Sequence, residues 1–274
     1  MSVDSALAAL LRRDRAIVVA ALAAVTAIAW ADVLYLAHAM SEMASMPDMP
    51  GMKMDAAYMM SPVFGRWDAV HFAAMLAMWT VMMIGMMTPS VAPMMLIYAQ
   101  VARSAAQGAP FASVAWFAAG YLLAWTGFSL AATLTQWGLE QLALLTPMMA
   151  SASGVFGGLL LIGAGVYQWL PVKYACLAHC RAPLSFVMSH GGFTPHAAGS
   201  VRLGMRHGWY CVGCCWALMA LLYVGGVMNL LWIAALMIFV LLEKLVPGWR
   251  YVARVGGLAA VGLGVRDLVA AAVH

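Results

Sequence analysis

All five cysteines of this 274-residue chain fall in two short groups. Cys176, His179 and Cys180 lie within YACLAHCR, and His207, Cys211, Cys214 and Cys215 within HGWYCVGCCW. If the first stretch is helical, its three side chains share one side. In the second, His207, Cys211 and Cys214 span roughly 60° of helical arc, with Cys215 at the edge. Thiols and imidazoles at this spacing are soft or borderline metal ligands. The groups flank one segment, so their ends can face each other and pool two to four thiolates. Packing alone does not call for two cysteine clusters with none elsewhere. His190 and His196, in SHGGFTPH, read as solvated loop residues, with extra metal ligands as the alternative.

Methionine supplies a second ligand type, with 24 in the chain. In HAMSEMASMPDMPGMKMDAAYMM, Met40, Met43, Met46, Met49 and Met52 recur every third residue. Pro47, Pro50 and Gly51 argue against a continuous helix there. An extended polyproline-like chain has three residues per turn and aligns these thioethers on one side. Leucine, the usual apolar filler, is absent from this loop. A second row lies in WDAVHFAAMLAMWTVMMIGMMTP. On a helix Asp68, His71, Met75, Met78, Met82 and Met86 fall within an arc of roughly 80°, over a rise of about 27 Å. Met83 and Met87 fall on a neighbouring face and read as packing. Successive weak thioether sites are what conduction of a soft ion requires. Thr88-Pro89-Ser90 and Pro93 are expected to interrupt the helix and free backbone carbonyls.

The elements that position these rows follow from composition. The chain is 65% hydrophobic and 9% charged, against about a quarter charged in soluble domains. Apolar runs of the ~20 residues needed to cross a bilayer predict an all-α, polytopic membrane helix bundle of about seven transmembrane helices. The expected spans are 16–39, 69–100, 111–136, 148–170, 207–225, 229–246 and 255–273, within one membrane domain over 1–274. Residues 40–67 form a Met-rich outer loop and 171–206 an intracellular Cys/His loop. The turn between the fifth and sixth spans is placed at Val224-Gly225-Gly226, beside Asn229.

The first span is too long for a removed signal peptide and lacks a small-residue cleavage site. Arg12, Arg13, Arg15, Arg103, Lys173, Arg181, Arg202, Arg206, Lys244, Arg250 and Arg254 all fall on one side of this arrangement, and only Lys53 and Arg66 in the opposite loops. The positive-inside rule then sets the amino terminus in the cytoplasm and the carboxyl terminus outside. Cytoplasmic thiols stay reduced, so a structural disulfide is not expected. Glu243-Lys244 and Arg266-Asp267 read as interfacial charges or ion pairs. The net charge of +4 reflects topology and gives no sign of nucleic-acid binding. Neither a nucleotide-binding loop nor a catalytic constellation is evident.

Three stretches together, VMMIGMMTPSVAPM, GVYQWLPVKYACLAHCRAPL and HGWYCVGCCWALM with GGVMNLLWIA and LEK, resemble a bacterial family of predicted metal-binding integral membrane proteins. Members of that family are regarded as copper-chaperone-like. The resemblance covers about Trp67 to Lys244. It carries over onto Met86, Met87, Pro89, Pro93, Tyr167, Gln168, Pro171, Lys173, Cys176, Cys180, Arg181, Cys211, Gly213, Cys214, Cys215, Trp216, Met219, Met228, Asn229, Glu243 and Lys244. It implies a multi-pass protein of the bacterial inner membrane; the Met-rich outer loop lies outside the matching part.

The expected function is Cu(I) handling at the inner membrane: capture by the outer loop, passage along the thioethers, and retention by the cysteines. The partners are the metal ion, the lipid bilayer, and a client cuproenzyme or soluble metallochaperone. Zinc is the rival metal, because the Cys/His inventory can supply four closed ligands. The alternative functions are a membrane thiol oxidoreductase, using the CxxC spacing of Cys211 and Cys214, or an assembly factor for a cuproenzyme.

Overall fold

The computed structural model describes residues 3–45, 67–105, 111–146, 149–193 and 196–273, with side chains for 13–39, 67–104, 111–146, 149–193 and 196–273. Among these residues the chain is helical apart from turns and one isolated antiparallel bridge between Leu145 and Ser151. The helices are α1 (Val3–Ser45), α2 (Ala69–Ala105), α3 (Phe111–Gln141), α4 (Gly154–Tyr167), α5 (Pro171–Arg181), α6 (Pro183–Ser189), α7 (Ala197–Ala220), α8 (Leu222–Gly225), α9 (Leu230–Leu245) and α10 (Trp249–Val273). Five stretches are long and apolar enough to cross a membrane: Arg13–Ala39, Ala69–Ser104, Phe111–Gln141, Ala197–Gly225 and Trp249–Val273. The bent pair α4–α5, which turns through 64°, makes a sixth if it counts as one span. The remaining expected span, α9, has 16 residues.

Several boundaries differ from expectation, each for a local reason. Helix α1 continues to Ser45, because Ala, Met and Glu favour helix and no proline intervenes before Pro47. Met43 therefore lies on a helical backbone rather than an extended one; its side chain, and Met46, Met49 and Met52 altogether, lie outside the described residues. Helix α2 runs through Pro89 and Pro93 without the expected break. Proline is tolerated in an apolar helix where neighbouring hydroxyls satisfy the backbone. Ser90 Oγ donates to the Met87 carbonyl at 2.8 Å and Tyr121 OH donates to the same oxygen at 3.3 Å, next to the carbonyls of Gly85 and Pro89 that the two prolines leave without an i+4 N–H. Helix α7 starts at Ala197, ten residues before the expected 207. Helix α4 starts at Gly154 rather than 148, capped by Ser153 accepting from the Phe156 N–H. Much of the 171–206 segment is helical, in α5, α6 and the first turns of α7.

The chain divides into two compact units, and several helices contribute to both. The first comprises Met1–Ile28, Ile84–Gly127 and Pro171–Cys215. In it Asp14 of α1 pairs with Arg103 of α2, and Tyr98 OH shares a 2.8 Å hydrogen bond with Ser200 Oγ of α7. Helices α3 and α7 pack backbone to backbone: a Cβ on Gly120 would strike the Val201 carbonyl, and one on Gly204 the Phe117 carbonyl. Such small-residue contacts let helices approach closely without relying on the hydrophobic effect.

The second unit comprises Ala29–Met83, Phe128–Leu170 and Trp216–His274. Its helices α4 and α10 run antiparallel along paired glycines. A Cβ on Gly264 would lie 2.6 Å from the Gly158 carbonyl, and one on Gly165 would lie 2.7 Å from the Gly257 carbonyl. The turn between α8 and α9 falls where the glycine and asparagine pattern put it. Gly226 has φ of +92°, and Asn229 caps α9 through the Trp232 N–H. Tyr223 OH donates to the Ala132 carbonyl at 2.7 Å and so ties this turn region to α3.

Candidate metal centre

In the first unit α5 and α7 bring the two cysteine groups together. Pro171 starts α5, and its 11 residues put Cys176 and Cys180 one turn apart. On α7 Gly213 leaves room where any side chain would obstruct: a Cβ there would lie 2.8 Å from Cys176 Sγ. The thiol of Cys176 thus rests against the turn of α7 that carries Cys211, Cys214 and Cys215. Cys176 interacts electrostatically with Cys214. Beside it the His179 ring stacks on Tyr210 at 4.1 Å, nearly parallel at 8°. His179 Nδ1 lies 2.9 Å from the Ala175 carbonyl of its own helix, which fixes the ring. This stack fastens α5 to α7 one residue ahead of Cys211.

The three cysteines of α7 are buried, and Cys176 and Cys180 are half-buried. Cys214 Sγ donates to the Cys211 carbonyl at 3.1 Å and Cys215 Sγ to the same oxygen at 3.0 Å. The Cys215 thiol is also within hydrogen-bond reach of the Cys211 and Cys214 side chains. Cysteine binds a metal as thiolate, so metal binding at these sulfurs would release protons. Tyr121 OH, 3.2 Å from Cys211 Sγ, also reaches the Met87 carbonyl, and so links α2, α3 and α7. Nothing in its apolar surroundings AAGYLLAW singled it out. His207 is buried among Phe186, Phe117 and Tyr121, with ring centroids at 5.0, 6.0 and 6.1 Å. Among the described residues no three His, Cys, Asp or Glu side chains form a ready-made metal cage. Cys214 and Cys215 both turn toward the Cys211 carbonyl.

The methionine row follows α2 through both units. Met75, Met78, Met82 and Met86 are buried, and so are Met83 and Met87. Burial therefore does not separate the four expected ligands from the two expected packers. Asp68 is exposed, and its Oδ1 accepts the His71 backbone N–H at 2.8 Å, which makes it the cap of α2. His71 is buried, with Trp67 edge-on at 4.9 Å.

In the second unit the row meets partners from α3 and from the turn that follows it. Gln136 is fully buried, and its Oε1 accepts from Trp79 Nε1 at 2.7 Å. Its Nε2 lies 3.4 Å from Met75 Sδ, 3.1 Å from Met149 Sδ and 2.8 Å from Glu140 Oε1. Trp67 Nε1 donates to the other Glu140 oxygen at 2.6 Å. A sequence signal for Gln136 and Glu140 existed, because polar residues four apart in an apolar helix usually mark function. Met149 carried none.

No curated protein and no solved structure matches the chain. A family model, PpoB2, described as copper chaperone, matches residues 76–266. That match takes in both cysteine groups, the inner part of the methionine row and the turn holding Met149. It also takes in Tyr121, Gln136 and Glu140. Covering well over half of the chain, it identifies the protein as a member of this copper chaperone family.

Proposed function

We propose that the protein is a multi-pass inner-membrane carrier of Cu(I). Its Met-rich segment captures the ion, the thioethers of α2 pass it on, and thiols of Cys176, Cys180, Cys211, Cys214 and Cys215 hold it near the cytoplasmic face. His179 and His207 serve as flanking ligands or supports, and a client cuproenzyme or soluble metallochaperone is the recipient. Thiolates bind Cu(I) more tightly than thioethers, so the ligand order favours inward transfer and retention.

The observation that carries this reading is the seat of Cys176 Sγ against Gly213, which joins two cysteine groups separated in sequence. Membership of a copper chaperone family and five long apolar helices support it. The test is Cu(I) titration of detergent-solubilised protein against a competing chelator. The double variant Cys176→Ser, Cys180→Ser is expected to lose at least tenfold in affinity. Unchanged affinity and stoichiometry would remove α5 from the site, and zinc in place of copper in the purified protein would replace the metal.

The reach of the Cys215 thiol to both Cys211 and Cys214 favours a second reading, a thiol oxidoreductase. Alkylation trapping separates the two. Bound metal protects a chelating site from the reagent, whereas a redox pair changes its labelling with oxidant.

A further inference from the structure

We infer that the second unit holds a separate site for a soft monovalent cation, built from Met75, Met149 and His71 with Glu140 as counter-charge. This rests on the copper-handling reading but places a chelate where that reading has only a row along one helix. The orientation of Gln136 is fixed, because the indole N–H of Trp79 can only donate and must face Oε1. Nε2 then carries two hydrogens toward three acceptors: the sulfurs of Met75 and Met149 and one oxygen of Glu140. Two thioethers and a carboxylate gathered on one amide nitrogen form an electron-rich pocket that packing alone would not select. Leucine fills such space without presenting lone pairs.

A fourth donor lies one turn along α2. His71 Nδ1 is buried and has no hydrogen-bond partner among the described residues. The residue is 5% exposed. Its ring meets the Trp67 ring, and that indole is bound to Glu140, so imidazole, carboxylate and thioethers belong to one connected cluster. A buried imidazole nitrogen that makes no hydrogen bond is available as a metal ligand. Met149 is brought in by the turn between α3 and α4. There Thr146 N–H bonds the Ala150 carbonyl at 2.8 Å, and Met149 takes a φ of +54° to point its side chain inward. Two thioethers and an imidazole suit Cu(I) or Ag(I) and hold zinc, calcium or magnesium poorly. On loading, Gln136 keeps its bonds to Trp79 and Glu140 and yields the two sulfurs to the ion. The carboxylate offsets the cation's charge in an otherwise apolar surrounding.

The test is Ag(I) and Cu(I) titration of the full chain, in the native form and in a form with all five cysteines changed to serine. The cysteine-free chain is expected to retain tight binding. Adding Met149→Leu, which conserves volume, should remove one equivalent or weaken it at least tenfold. X-ray absorption at the copper edge should lose thioether scattering in the same variant. Where the cysteine-free chain does not fold, Met149→Leu in the native chain should bind one equivalent fewer. Equal stoichiometry and affinity with and without Met149→Leu overturns this site while leaving the cysteine centre standing. A native chain that binds neither ion overturns the copper-handling reading as well.

Discussion

At the residue scale, Gly213 decides whether the two cysteine groups can meet. A methyl group there would stand 2.8 Å from Cys176 Sγ, and the sulfur, at the end of a flexible side chain, would have to swing away. Replacing glycine by alanine inside a helix otherwise favours folding by up to about 1 kcal/mol. Gly213→Ala is therefore expected to leave the thermal midpoint in detergent unchanged or slightly raised. Its Cu(I) affinity should fall at least tenfold, and a variant that melts normally and binds normally would separate Cys176 from the centre. The cysteine groups were legible because each is local and their spacing fits a helix. Gly213 was legible only through family resemblance, as its role depends on what α5 brings to it. Met149 and Tyr121 act through contacts between segments far apart in sequence, and no periodicity announces such contacts.

At the element scale, the antiparallel pair α4 and α10 depends on glycines placed at matching heights. Gly158 and Gly165 on one helix are seven apart, as are Gly257 and Gly264 on the other, and each faces a backbone carbonyl of its partner. No flexible side chain can yield there, so added volume must push the helices apart. Gly264→Val is expected to lower stability by roughly 1–3 kcal/mol, the usual cost of overpacking. The measurement is the denaturation midpoint in detergent, with Gly262→Val as comparison, since a Cβ on Gly262 meets nothing within 4 Å. Equal losses in both variants would mean that helix propensity, not packing, sets the effect. Helix existence was legible from apolar run length, and the Gly226–Asn229 turn from its residue types. The uninterrupted course of α2 was not, because packing against neighbouring helices can absorb what two prolines normally do, and that packing joins segments far apart in sequence. The early start of α7 was hidden by Arg202, Arg206 and His207, which lower the apolar signal without opposing a helix.

At the scale of the whole molecule, the number of crossings sets which side each site faces. Five helices meet the length requirement, α4–α5 is a bent pair, and α9 has 16 residues. That length gives about 24 Å of helix against a core of about 30 Å, a mismatch that thinning and snorkelling can absorb. With the amino-terminal arginines in the cytoplasm, seven crossings place 171–206 inside and Val273 outside. Six, without α9, place both inside; five, without α4–α5 as well, place both outside. Lys173, Arg181, Arg202 and Arg206 in the 171–206 segment favour the inside, which six or seven crossings satisfy and five do not; the side on which Val273 lies then separates six from seven. In a chain without its own cysteines, Ser189→Cys should resist a membrane-impermeant maleimide on intact spheroplasts, and Val273→Cys should react. Labelling at both positions would move the cysteine centre to the outer face, where an oxidising compartment would favour disulfides over Cu(I) thiolates. Protection at both would show that α9 does not cross, and the carboxyl-terminal end would then share the cytoplasm with the cysteines.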